Sequence, residues 1–174
     1  MVQHLFRPLV IPREALTAAI FHCPNVLHLG TGMSTLLSDL YQLDCPTQTA
    51  IDFSSVCIST MSALRAFLDL PITWLTMDVC TMTFPANWVD IAIDKGALDA
   101  MHNGSLLDLA NEFKANMKTY LHQVARVLKP DGGKWLYVRW QQSGLVAELL
   151  ERSGVWNVDV KVLGEQGDLQ YHDS

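Results

Sequence analysis

Two glycines separated by a threonine, Gly30-Thr31-Gly32, lie between an apolar run and a stretch of helical periodicity. Residues 25–29 (Asn-Val-Leu-His-Leu) predict a strand, and residues 34–43 predict a helix. Glycine permits a tight turn and lets a ligand approach the backbone, while N–H groups at a helix start attract acceptor or anionic groups. The same glycines also suit an ordinary strand-to-helix turn, so the motif alone leaves both interpretations open.

An acidic residue, Asp52, follows Gly32 by twenty residues and ends the second predicted strand. In nucleotide-binding sheets an acid at this point accepts hydrogen bonds from ribose hydroxyls. Asp52 could instead cap the following helix, a role that Ser54 or Ser55 could also fill. A dinucleotide fingerprint would have a third glycine at position 35; Thr35 stands there, which disfavours NAD and FAD.

Short β-rich runs alternate with helical stretches along the chain, which predicts an α/β fold with a mostly parallel sheet covered by helices. Predicted strands lie at 25–29, 49–52, 72–77, 89–93, 134–140, 155–163 and 169–172. Predicted helices lie at 12–21, 34–43, 55–68, 106–128 and 145–152. Because no internal repeat or linker interrupts the pattern, we expect one domain over residues 1–174.

The composition excludes several classes of protein. Hydrophobic residues make up 49% of the 174 and charged residues 17%, which excludes a disordered chain. The net charge is -6 and no basic stripe occurs, so we expect no nucleic-acid partner. No apolar run reaches the ~20 residues that cross a bilayer, and no secretory signal is seen, so no membrane association is expected. The widely spaced Cys23, Cys45, Cys57 and Cys80 predict cytoplasmic thiols rather than disulfides or a metal site.

The segment Val26–Tyr41 (Val-Leu-His-Leu-Gly-Thr-Gly-Met-Ser-Thr-Leu-Leu-Ser-Asp-Leu-Tyr) resembles the first motif of class I S-adenosylmethionine (SAM) methyltransferases. Within that superfamily the chain resembles the methyltransferase-like 13 group, which includes lysine and N-terminal methyltransferases of elongation factor 1-alpha. The group's pattern continues in residues 51–58, 77–84, 89–100 and 123–134, most distinctively in Ile93-Asp-Lys-Gly-Ala-Leu-Asp-Ala100. The resemblance implies a Rossmann-like sandwich with helices on both sheet faces, SAM as cofactor, and methyl transfer to an amine of a protein.

The resemblance assigns the first cofactor contacts to the glycine turn and the second strand. The backbone at Gly30, Thr31 and Gly32 would pass under the methionine part of SAM. Asp52 would hold the ribose, and Phe53 would pack on the adenine ring.

Further contacts are implied at the ends of the third and fourth strands. Asp78 and the amide of Val79 would lie at the adenine edge. Asp94 would meet the amino-acid end of the cofactor and the substrate pocket, where it is the candidate catalytic residue that orients the amine. The alternative for Asp94 is a structural ion pair with Lys95.

His28 lies two residues before Gly30, within the first predicted strand. A hydrogen-bonded core histidine is one interpretation. If the side chain faces the pocket instead, it is a second candidate catalytic residue, acting as general acid or base with Asp94 or Asp52.

Three departures from the family pattern keep other functions open. The aromatic segment that usually precedes the first strand and closes over SAM has no counterpart in residues 1–12, and the final strands are short. Thr31 and Met33 replace the usual cysteine and asparagine. The alternatives are therefore an enzyme of small-molecule metabolism, which methylates or catalyses a cyclisation, isomerisation or elimination, or a catalytically silent module with this fold.

Overall fold

The computed structural model describes residues 25–66, 70–101, 111–138, 161–163 and 169–171. The predicted helices at 12–21 and 145–152, and the N-terminal departure from the family pattern, lie outside these residues. The chain divides into two compact units, Ile20–Arg139 and a second that combines Met1–Ala19 with Trp140–Ser174. The single domain over residues 1–174 stays a prediction.

The first unit contains a five-stranded sheet in the order β3-β2-β1-β4-β5, with every neighbouring pair parallel. Its strands are β1 (Val26–Leu29), β2 (Gln48–Asp52), β3 (Ile72–Thr76), β4 (Ile91–Lys95) and β5 (Lys134–Val138). In the second unit, β6 (Lys161–Leu163) and β7 (Leu169–Tyr171) form an antiparallel pair. The predicted parallel α/β sheet is therefore confirmed.

Helices follow the strands of the first unit. They are α1 (Leu36–Tyr41), α2 (Ser55–Ala66), α3 (Ala97–Ala100) and α4 (Asn111–Val127), and a 3-10 turn spans Val79–Thr81. The longest of them, α4, buries an apolar stripe formed by Met117, Tyr120, Val124 and Val127, which repeat at helical spacing. None of the helices in the described ranges is long and apolar enough to span a membrane.

The strand order reverses between β1 and β4, and this reversal positions the candidate site. In open parallel sheets, ligands bind outside the carboxyl ends of the strands at such a switch point. All residues of β1 and β2 are buried, because both strands lie in the sheet interior beneath helices. The loops after β1, β2, β3 and β4 therefore meet at one edge of the sheet.

Two elements differ from the sequence-based expectation at the fourth strand. The sequence predicts this strand at 89–93, but it begins at Ile91, because Val89 forms only an isolated bridge to Leu128. The short helix α3 is absent from the sequence-based prediction; it begins after Gly96, whose φ of +87° turns the chain sharply out of β4. Asp94 consequently lies inside the strand and directly precedes this turn.

The glycine turn after β1 packs against the start of α3. A Cβ atom added at Gly30 would lie 2.6 Å from the Ala97 Cβ, and Gly30 has a φ of +59°. Gly32 has a similar φ of +52°, but no atom of the described residues lies within 4 Å of the position that a Cβ would take there. Gly30 is therefore required by space and by backbone conformation, and Gly32 by conformation alone.

Substitution of the two glycines separates these requirements. Gly32→Ala should lower the free energy of unfolding by about 1–2 kcal/mol, the cost of a left-handed residue. Gly30→Ala should cost about 2–4 kcal/mol, because overpacking adds to that strain. Combining Gly30→Ala with Ala97→Gly removes the clash with the Ala97 Cβ, so it should recover the part of the lost free energy of unfolding that overpacking causes. Denaturant unfolding of the wild type, the single variants at positions 30, 32 and 97 and the double variant measures this coupling, and equal losses for the two glycine variants would contradict the close contact.

Candidate active site

The glycine turn uses most of its backbone polar groups within the protein. The Thr31 N–H donates to the Ile51 carbonyl at 3.0 Å, and the Ser34 N–H donates to the Thr31 carbonyl at 3.3 Å. Thr31 itself is buried, and its Oγ1 has no hydrogen-bond partner among the residues that the structure describes. A buried hydroxyl without a partner costs about 1–3 kcal/mol, so this turn holds an unsatisfied polar atom.

Asp52 joins the end of β2 to the glycine turn. Its Oδ2 accepts from the Gly32 N–H at 2.9 Å, and its Oδ1 accepts from the Ser54 N–H at 2.9 Å. The hydroxyl of Ser54 in turn accepts from the Cys57 N–H at 3.2 Å. Ser54 therefore caps α2, and the interpretation of Asp52 as the helix cap is wrong. The Cys57 thiol also hydrogen-bonds the Asp52 carboxylate, and the remaining lone-pair capacity of its two oxygens is available to a ligand hydroxyl.

The other residues predicted at the nucleoside end also lie at this edge. Phe53 follows β2 with 82% of its surface exposed, and Met33 in the neighbouring turn is 62% exposed. Asp78 follows β3, where its carboxylate accepts from the Cys80 N–H at 2.7 Å and opens the 3-10 turn that begins at Val79. The Met77 N–H donates to the Asp52 carbonyl at 2.9 Å, which holds the ends of β2 and β3 together.

Asp94 is fully buried at the end of β4. Its carboxylate accepts from the Ala97 N–H at 2.6 Å, the Leu98 N–H at 3.1 Å and the Tyr120 hydroxyl at 2.6 Å. Burial raises the pKa of Asp94 to about 6, against the opposing effect of these three donors. Asp94 thus caps α3 and binds α4, in place of the ion pair with Lys95 that the sequence left open.

Because the Asp94 carboxylate has no exposed surface and accepts hydrogen bonds from three protein donors, its role in this arrangement is structural. Direct contact of Asp94 with the cofactor or a substrate amine stays a prediction, and its surroundings do not favour it.

His28 is a core residue of β1. The side-chain amide of Gln48 donates to the Leu37 and Cys45 carbonyls, at 2.9 Å each, so its Oε1 must face the histidine. His28 Nε2 lies 2.8 Å from that oxygen and therefore carries the proton. Burial lowers the pKa of His28 to about 4, so the ring is neutral at physiological pH.

The predicted general acid–base pair of His28 with Asp94 is wrong. The register places His28 beside Ile93 and Leu29 beside Asp94. Since successive side chains on a strand point to opposite faces, His28 and Asp94 lie on opposite faces of the sheet. His28 bonds Gln48 rather than Asp52, which matches the core interpretation.

Two residues that bind candidate site residues were missed by sequence reasoning. Gln48 orients His28, and Tyr120 binds Asp94. A polar residue entering a buried strand was the available signal for Gln48. Tyr120 occupies an apolar position of the α4 repeat, and its hydroxyl partner could not be found from periodicity.

The residues present fit SAM. The donor and acceptor set contains carboxylate oxygens of Asp52 with lone pairs for ribose hydroxyls, and the exposed Phe53 ring lies next to it. Within the described part of the chain, no atom lies near the position that a Cβ of Gly32 would take, and the neighbouring Thr31 Oγ1 has no hydrogen-bond partner. Acidic, aromatic and glycine positions therefore meet at one end of the sheet.

Comparison with known proteins agrees with this geometry. The family model described as a methyltransferase domain matches residues 27–135, which include the glycine turn, Asp52, Asp78 and Asp94. The chain belongs to the methyltransferase domain family. The predicted resemblance, the Rossmann-like fold and SAM as the cofactor of this domain are confirmed.

Individual relatives show where the similarity extends. The domain is 33% identical to an eEF1A lysine and N-terminal methyltransferase homolog of Drosophila pseudoobscura pseudoobscura, over 73% of this chain and 18% of that protein. It is 32% identical to the EEF1A lysine methyltransferase 4 of Bos taurus, over 69% of this chain and 48% of that protein. The domain therefore spans less than half the length of either relative.

A solved structure shows the same fold. The PH0226 protein from Pyrococcus horikoshii OT3 superimposes with a TM-score of 0.60 at 17% identity, over 88% of this chain and 64% of that chain.

The buried histidine predicts a loss of stability in acid. The pKa of His28 is about 4 in the folded domain, against ~6.5 for unfolded histidine. Between about pH 6.5 and pH 4, His28 is protonated in the unfolded chain but not in the folded domain. The contribution of His28 to the free energy of unfolding therefore falls as the pH drops through this range. Asp94, with a pKa of about 6, gains a proton in the folded domain below pH 6, so its contribution to the free energy of unfolding rises as the pH drops. The contribution of His28 to the change between pH 7.5 and pH 5 is about 2 kcal/mol, so the change in the free energy of unfolding should differ by about that amount between His28→Gln and the wild type.

Denaturant unfolding at the two pH values measures this difference. The control is His122→Gln, which removes an exposed imidazole from α4. If His28→Gln retains the wild-type change in stability between the two pH values, His28 is not the buried neutral group responsible.

Proposed function

We propose that this domain transfers a methyl group from SAM to an amine of a protein, either a lysine side chain or an N-terminus. The observation that carries the proposal is the family match across residues 27–135, which covers the strand ends where Asp52 and the glycine turn are joined. The names of the two relatives, which specify methylation of eEF1A, support a protein amine as the substrate.

Each residue at the sheet edge has a task in this proposal. Bound SAM would supply an electrophilic methyl group on its sulfonium. Asp52 would accept hydrogen bonds from ribose hydroxyls, and Phe53 would cover the adenine ring with its exposed face. The turn at Thr31 would receive the methionine end, and Asp78 with the Val79 amide would bind the adenine edge.

The protein must bring the amine to the methyl group in its neutral form and in line with the departing sulfur. The net charge of -6 favours approach of a cationic protein segment. A cytoplasmic location is part of the proposal, because Cys57 and Cys80 form no disulfide in this fold.

A methyl-transfer assay tests the proposed activity. Purified domain incubated with methyl-labelled SAM and eEF1A should transfer label to eEF1A, and peptide mass spectrometry should assign it to a lysine or to the N-terminus. Heat-denatured domain is the control for spontaneous transfer. Label that appears on small-molecule amines but never on protein would contradict the proposed substrate class, and no transfer to any amine would contradict the activity.

Asp52 variants test the cofactor contact by calorimetry with S-adenosylhomocysteine (SAH). Asp52→Ala should weaken binding about tenfold or more, because charge-assisted hydrogen bonds to the ribose are lost. It should also lower stability by about 1–3 kcal/mol, since the Gly32 and Ser54 N–H groups lose their acceptor.

Ser54→Ala is the matched control. It removes the cap of α2, at a cost of about 1 kcal/mol, while the Asp52 carboxylate stays in place. SAH affinity should therefore be unchanged in Ser54→Ala. An Asp52→Ala domain that melts lower but binds SAH like the wild type would remove Asp52 from the ribose site.

A further inference from the structure

The fully buried Asp94 carboxylate connects three elements around the switch point of the sheet. It belongs to β4, it caps α3 through the Ala97 and Leu98 N–H groups, and it binds α4 through the Tyr120 hydroxyl. The Tyr120 ring is itself fixed by an edge contact with Trp135, with ring centroids 5.9 Å apart. Through Asp94 these hydrogen bonds join the start of α3 to both β4 and α4.

The start of α3 also packs directly against the glycine turn. Gly30 approaches Ala97 so closely that a Cβ would lie 2.6 Å from the Ala97 side chain. The two residues after Gly30 donate their N–H groups to the Ile51 carbonyl and to the Asp52 carboxylate. A shift of Ala97 would therefore reach the turn and its contact with Asp52, although Asp94 itself touches neither.

We propose that Asp94 and Tyr120 are positioning residues, which hold α3 against Gly30 and thereby set the conformation of the glycine turn. This proposal rests on the proposed methyltransferase function for its consequence, namely that the pair controls cofactor affinity from beneath the site. Asp94 then acts through Ala97 rather than by contact with substrate.

The protonation state of Asp94 decides how firmly α3 is held. An ionised carboxylate makes charge-assisted hydrogen bonds with all three donors, whereas a protonated one is a weaker acceptor. Burial raises the pKa of Asp94 to about 6. The titratable groups around the carboxylate are Tyr120 of α4, Asp99 of α3 and Tyr137 of β5, whose hydroxyl donates to Asp99. We therefore expect the glycine turn to keep its conformation at neutral pH, where Asp94 is ionised, and to become less rigid below about pH 6.

Hydrogen exchange in the ligand-free domain tests the coupling directly. Tyr120→Phe removes only the hydroxyl that binds Asp94, and at pH 7 the Thr31 and Gly32 amides should exchange about tenfold faster than in the wild type. The Asn87 and Trp88 amides, bonded to the Arg126 and Val127 carbonyls before β4 begins, report general destabilisation and should keep their rates.

Thr119→Ala is the control within α4, because it removes an exposed hydroxyl that binds the Ala115 carbonyl and touches neither Asp94 nor α3 in the described residues. It should leave exchange at Thr31 and Gly32 unchanged. Unchanged turn amides in Tyr120→Phe, or an equal acceleration at Asn87 and Trp88, would overturn the proposal.

Cofactor calorimetry from pH 5 to pH 8 adds a readout that a purely structural role would not move. Wild-type SAH affinity should fall up to about tenfold as pH drops one unit below the pKa of Asp94. Tyr120→Phe should move this fall to higher pH, because the Tyr120 hydroxyl stabilises the ionised carboxylate. Asp94→Asn should abolish the pH dependence.

Parallel titrations with SAM and SAH separate positioning from direct electrostatics. A positioning role weakens both ligands by the same factor, whereas loss of a negative charge near the sulfonium would weaken the cationic SAM more than SAH and would overturn the proposal. If the wild type binds neither ligand at any pH, the proposed function fails, while the exchange rates still decide whether Tyr120 and Asp94 hold the turn.

Discussion

The hydrogen bond from the Gly32 N–H to the Asp52 carboxylate joins two loops that are twenty residues apart in the chain. The parallel pairing of β1 with β2 makes this contact possible, because it brings the carboxyl ends of both strands to the same edge. The second Asp52 oxygen binds the Ser54 N–H, so the carboxylate also fixes the chain entering α2. An acceptor suited to ribose hydroxyls is thus held in place by the loops that it connects.

On its other side the glycine turn contacts α3 through steric packing rather than through a hydrogen bond. Gly30 meets Ala97 at a distance that no side chain at position 30 would allow. Ala97 is placed there by the left-handed turn at Gly96 and by the carboxylate of Asp94. The turn is therefore confined between a hydrogen bond to β2 and a steric contact with α3, which restricts its conformation without any ligand.

The sheet carries buried polar groups on both of its faces. On one face the neutral His28 is satisfied by Gln48, whose amide also binds two carbonyls near α1. On the other face Asp94 is satisfied by two N–H groups and by Tyr120. Burial lowers the pKa of His28 and raises that of Asp94, so the pH dependences of their contributions to stability have opposite signs. His28 and Asp94 therefore stabilise different sides of the sheet, although His28 pairs with Ile93, the residue next to Asp94.

The sequence by itself determined the parallel α/β class, most strand positions and the family, because alternating short apolar runs and the motifs after them are local patterns. It also placed the glycine turn, Asp52 and Phe53 at strand ends, since parallel strands bring their carboxyl ends together. Only the tertiary structure decided the environments of Asp94 and His28. Their partners, Tyr120 and Gln48, lie 26 and 20 residues away in the sequence, and the pairing depends on strand register and helix packing. A side chain's face, burial and pKa follow from such long-range contacts, which periodicity along the chain does not record.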